Sequence, residues 1–174
     1  MKHKISQYIA ATLFRIGALW GGFLVSMLPL YIVRGMYVDS SVKETVENLV
    51  TLLVLLTTSV VILFFVYRGN DEAAKLDKKG MLSMICIPTA AHLALCVLLC
   101  WSKYVYIFLS EGYALARLIS PGARDITEQS VWSVLVASLI VTAIPSLGVL
   151  LGCLSARKKR EKERKALHAD QDHT

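Results

Sequence analysis

The sequence predicts an all-α integral membrane protein: four transmembrane helices in an antiparallel bundle, with an amphipathic helix at the outer interface between the third and the fourth. Three observations predict it. Hydrophobic residues make up 55% of the 174 and charged residues only 18%, against roughly 45–50% and 25% in soluble domains. The apolar excess, which lifts the mean hydropathy to +0.55, is gathered into four blocks free of Asp, Glu, Lys and Arg. Each block is long enough to cross a hydrocarbon layer of about 30 Å at about 1.5 Å per residue. Finally, Lys and Arg are distributed unequally between the segments that join the blocks. This composition excludes a soluble enzyme, an ordinary nucleic-acid-binding domain and a disulfide-stapled secreted module.

The first span is expected at residues 16–33, fenced by Arg15 and Arg34. Lys2 and Lys4 ahead of an apolar run also suit a secretory signal peptide. The run exceeds the usual 7–15 residues, however, and Leu30-Tyr31-Ile32-Val33-Arg34 offers no small-x-small cleavage site, so a retained helix is expected. Arg15 then sits at the inner boundary and reaches the headgroups by snorkelling. The second span covers residues 48–67, where Leu49-Val50-Thr51-Leu52-Leu53-Val54-Leu55-Leu56 shows none of the alternation that a barrel strand requires. A helix satisfies its own backbone in lipid, so helix is the expected state. This span contains no glycine and is expected to face lipid over much of its circumference.

The third span covers residues 80–102 and the fourth residues 131–154. Between them, Tyr104, Ile107, Phe108, Tyr113, Leu115, Leu118 and Ile119 fall roughly on one helical face before Ser120-Pro121-Gly122. That pattern predicts a helix lying on the outer interface or extending the third span. Trp101, Tyr104, Tyr106 and Trp132 stand where an interfacial aromatic belt belongs. Residues 157–174 form a basic cytoplasmic tail, expected to be disordered at its end around His168 and His173.

Orientation follows from the basic residues. With the N-terminus inside, the inner side holds Lys2, Lys4, Arg68, Lys75, Lys78, Lys79 and seven residues of the tail. The outer side holds Arg34, Lys43, Lys103, Arg117 and Arg124. The bias of 13 to 5 predicts a multi-pass protein of the cell membrane with both termini cytoplasmic, and the tail carries much of that bias.

Several residue patterns bear on chemistry. His92, Cys96 and Cys100 line one face of the third span and are metal-competent by type. Ligands at i, i+4 and i+8 nevertheless spread over about 12 Å, too far apart to converge on one ion. Small buried cysteines and an interhelical histidine bond explain them without a metal, and no cofactor is expected. Pro29, Pro88 and Pro145 lie inside three of the spans and are expected to break or kink them, each removing one backbone bond. Gly17-x-x-x-Gly21 and Gly148-x-x-x-Gly152 match the close-approach pattern of membrane helix pairs, which predicts tight packing of the first and fourth helices. The run Arg157, Lys158, Lys159, Arg160, Lys162, Arg164 and Lys165 follows the last span directly. It is expected to bind anionic lipid headgroups rather than nucleic acid.

No phosphate-binding glycine loop, Ser-His-Asp set, HExxH or paired-carboxylate arrangement stands out, although Glu44, Glu47, Glu111 and Asp125 occupy the outer segments. No carboxylate lies inside any block, which weighs against a proton-coupled carrier. The expectation is a non-catalytic subunit or accessory factor of a larger membrane assembly, partnered by another membrane protein or by further copies of itself. A small-solute or ion transporter built on the proline-broken, His92-bearing third helix is the alternative.

Overall fold

The computed structural model describes residues 2–35, 40–100 and 131–171. Among these the chain is helical, with no strands: α1 (Lys2–Gly35), α2 (Ser40–Arg68), α3 (Asp71–Lys75), α4 (Lys78–Cys100), α5 (Val131–Ala143) and α6 (Pro145–Gln171). Three stretches are long and apolar enough to cross a membrane, Ile5–Val33, Val42–Arg68 and Val136–Ala166, the last running through both α5 and α6. The interface helix expected at residues 103–119 lies outside the described residues, as do Trp101, Tyr104, Tyr106 and the side chain of Trp132.

The helices outrun the apolar blocks. α1 starts fourteen residues before the first block, because Ile5, Tyr8, Ile9, Leu13 and Phe14 continue its apolar surface on the near side of Arg15. Arg15 is therefore ten residues inside the span that opens at Ile5, about 15 Å along the axis. α6 carries the basic run onward as helix to Gln171. Helix-favouring Lys, Arg, Glu and Ala dominate the run, and Arg157–Glu161 (3.5 Å) and Lys159–Glu163 (3.8 Å) pair at i, i+4 along it. Of the three interior prolines, Pro145 alone divides one helix from the next; α1 runs on through Pro29 and α4 through Pro88. At the division the Ile144 N–H still bonds Ile140 O (3.0 Å), and Leu147 N–H reaches Ile144 O (3.0 Å) to open the next helix. Pro145, with no N–H to place, takes the first helical position.

α2 is the centre of the packing, with its broadest contacts to α1 and α6. The sequence predicts that α2 faces lipid over much of its circumference and that the first and fourth helices pack tightly. In the structure 33% of the α2 span is buried, and both of those helices pack on α2. Glycines on α1 and α6 are the reason. A Cβ at Gly22 would meet Leu55 O at 2.6 Å, at Gly148 Val60 O at 2.3 Å, and at Gly152 Phe64 O at 2.8 Å. Each glycine lets its backbone settle against the backbone of α2, which has no need of a glycine of its own. Gly21 meets only the side chain of Ile62, and Gly17 faces open space. The buried face of α1 instead runs Ala11, Arg15, Ala18, Gly22, Ser26, Leu30, a helical stripe one register away from Gly17 and Gly21. Ala18 lies against Ser59 and Gly22 against Leu55, so α1 and α2 run antiparallel; Val60 lies against Gly148 and Phe64 against Gly152, so α2 and α6 run parallel.

Buried hydroxyls in this core are satisfied within their own helices. Thr12 donates to Tyr8 O (2.9 Å), Thr51 to Glu47 O (2.7 Å), Ser59 to Leu55 O (2.6 Å) and Thr142 to Ser138 O (2.8 Å). Each uses a carbonyl of its own helix, which keeps a polar side chain satisfied in an apolar interior. At the end of the bundle holding the N-terminus of α1, the turn from α2 to α4 is capped twice. Asn70 accepts from Glu72 N–H (2.9 Å) to start α3, and Asp77 accepts from Gly80 N–H (2.7 Å) to start α4. Gln7 of α1 ties to this turn through Glu72 (2.8 Å), and α3 packs on α6.

Candidate functional site: a buried arginine layer

Arg15 is 1% exposed and does not snorkel. Its position in the small-residue stripe aims it at the interior, where one Nη donates to Thr89 Oγ1 of α4 and the other to Ser146 Oγ of α6 (2.9 Å). The two hydroxyls lie 3.1 Å apart, and Thr89 Oγ1 is 2.5 Å from Ile85 O. Counting protons orders the network. The Thr89 proton goes to Ile85 O, so Ser146 must donate to Thr89, and both oxygens accept from the guanidinium. Three helices are thereby joined at one charged group.

The depths agree. Arg15 stands eleven residues after Lys4, Thr89 ten after Lys79, and Ser146 eleven before Arg157. All three lie about 15–17 Å from the basic end. Both hydroxyl carriers also sit beside a proline. Thr89 follows Pro88 and Ser146 follows Pro145, and both prolines are fully buried. Proline frees the carbonyl four residues earlier and gives the adjoining turn an irregular surface, so polar groups gather where the helices are least regular.

His92, 7% exposed, lies one turn beyond Pro88, and it and Tyr67 and Cys86 are within electrostatic range of Arg15. Among the described residues, Arg15 Nε and His92 Nδ1 are buried without a hydrogen-bond partner. No carboxylate there lies within ion-pair distance of Arg15. The metal-competent set His92, Cys96 and Cys100 is not assembled into view, because the side chains of Cys96 and Cys100 lie outside the described residues. No three His, Cys, Asp or Glu side chains among the described residues converge as metal ligands. What the layer can do chemically is bind by charge and by hydrogen bonds.

A second charged region lies at the basic end. Two clefts, of about 380 and about 490 Å³, separate α3 from α6. Lys75 and Arg160 line both; Arg68 and Lys159 add to the first, Arg157 and Arg164 to the second. The tail residues named from sequence thus divide. Arg157, Lys159, Arg160 and Arg164 face the turn, whereas Lys158, Lys162 and Lys165 line neither cleft. The contribution of Lys75 and Arg68 was not apparent from the sequence, although their place in the short inner connection was the available signal.

Comparison of the chain with protein families, with characterised proteins and with solved structures finds no match.

Proposed function

We propose that this chain is a small, non-catalytic, multi-pass subunit of a larger assembly in the cell membrane. In this reading α1, α2, α4 and the α5–α6 pair are four spans of one antiparallel bundle, with both termini cytoplasmic and an amphipathic segment at the outer interface. The observation that carries it is the polar layer that joins three helices. Arg15 donates to Thr89 and Ser146, and Thr89 donates to Ile85 O, which suits a fastening between helices. The outer surface is apolar, with Leu24, Leu28 and Tyr31 exposed at i, i+4 and i+7 on α1 and Tyr31 82% exposed. Such a row suits lipid or another membrane helix. A photo-crosslinking residue at Leu28 in intact membranes should give one discrete protein adduct. Adducts to lipid alone would refute membership of an assembly.

One observation favours transport as the second reading: Arg15 Nε and His92 Nδ1 have no partner among the described residues, beside the division at Pro145. Intramembrane ionisable groups at broken helices mark many solute paths. Reconstituted vesicles would decide between the two. Ion or solute flux that vanishes in Arg15→Met, with the bundle still folded, would replace the subunit reading.

A further inference from the structure

We infer that the cleft between α3 and the arginine face of α6 is a binding site for a phosphomonoester, such as the exposed phosphate of a membrane lipid headgroup. The inference rests on the membrane placement proposed above.

The tail is a helix, and apart from Lys159, which lines the first cleft, its basic residues are sorted by type round it. Arg157, Arg160 and Arg164 follow a three–four spacing, and so do Lys158, Lys162 and Lys165. At 3.6 residues per turn the two faces are centred about 130° apart. The arginine face is the one against α3. Arginine offers a planar fork that meets two phosphate oxygens at once, whereas lysine is a hydrated point charge. A diffuse attraction to an anionic surface has no use for such sorting; a site for a particular phosphate does.

Two carboxylates, Asp77 and Glu161, also line this cleft and offset part of its charge. Asp77 caps α4 through Gly80 N–H, Glu161 pairs with Arg157 and Glu163 with Lys159. Among the described residues no carboxylate pairs with Lys75, Arg160 or Arg164. Lys75, Arg157, Arg160 and Arg164 thus line one cleft with Asp77 and Glu161, which leaves it a net charge of +2. The walls are built rather than accidental, since Asn70 and Asp77 cap the turn and Gln7 holds it to α1. A net charge of +2 suits a group carrying more than one negative charge, which a phosphomonoester has and a phosphodiester headgroup lacks.

The test uses the full chain in nanodiscs of neutral lipid, with phosphatidic acid or phosphatidylglycerol at equal mole fraction and native mass spectrometry as the readout. Phosphatidic acid should be retained about tenfold over phosphatidylglycerol. Lys75→Gln, Arg160→Gln and Arg164→Gln together should abolish that preference, while Lys158→Gln, Lys162→Gln and Lys165→Gln, which remove the same charge, should preserve it. Arg160→Lys keeps the charge, loses the fork and should narrow the preference. Glycerol 3-phosphate added to neutral nanodiscs separates the sources: retention of the lipid alone assigns the site to headgroups, and retention of both assigns it to the phosphate itself. Equal retention of the two lipids, or equal loss in the two triple variants, overturns the site. A protein that does not enter nanodiscs overturns the membrane reading instead.

Discussion

A guanidinium that is 1% exposed among apolar helices carries a desolvation cost that its neighbours must offset. Thr89 and Ser146 do so from two other helices, and the arrangement has a testable asymmetry. Thr89→Val removes an acceptor and leaves a buried charge under-solvated, which should cost about 3 kcal/mol in detergent unfolding. In an Arg15→Met background the same substitution should be nearly neutral, because no charge remains to be satisfied. Additive costs in that cycle would show that Arg15 and Thr89 are not coupled. The sequence marked Arg15 as a fence because charge usually ends a span. The signal that it lies inside was present, since it shares a face with Ala11, Ala18, Gly22 and Ser26. The acceptors were not legible, as nothing in the chain order relates residue 15 to residues 89 and 146.

At the scale of helices, close approach is decided by which backbone lies opposite a glycine. Gly148→Ala would place a methyl 2.3 Å from Val60 O, and a carbonyl within a helix cannot turn aside. The variant should lose about 3 kcal/mol of unfolding free energy in detergent. Gly17→Ala meets open space and should be neutral or slightly stabilising through helix propensity. Equal damage from the two would overturn the placement of α2 between α1 and α6. The Gly148-x-x-x-Gly152 spacing was readable from sequence, but its partner was not. A helix without glycine can still be the one approached, because the approaching side supplies the missing Cβ. The length of α6 was hidden for a related reason: a charged tail reads as an end to structure, although Lys, Arg and Glu at i, i+4 favour helix once a span has nucleated it.

For the molecule as a whole, the 13-to-5 bias of basic residues predicts its sidedness. In a variant with its four native cysteines replaced, a cysteine at Ser41 or Gln129 should react with an impermeant maleimide from outside, and one at Asp71 from inside. Asp71 is the better inner probe because it is exposed, whereas Ala73 in the same helix is buried. Reaction of all three from one side would sink the four-span topology. The same bias predicts that neutralising Lys158, Lys162 and Lys165 lets a fraction of molecules insert inverted.

Composition and periodicity alone established that the chain is helical with stretches long and apolar enough for a membrane, three of them among the described residues, because those properties depend on local runs of residue type. Glycine spacing likewise announced that some backbones meet closely. Packing in three dimensions decided which ones. It put α2 at the centre, turned Arg15 from a boundary into a junction of three helices, and set Arg157, Arg160 and Arg164 toward α3 while Lys158, Lys162 and Lys165 line neither cleft. Each of these joins residues distant in the chain: Arg15 with Thr89 and Ser146, Val60 with Gly148, Lys75 with Arg160. A periodicity records which side of a helix is distinctive; the identity of the facing residue arises only when the helices come together.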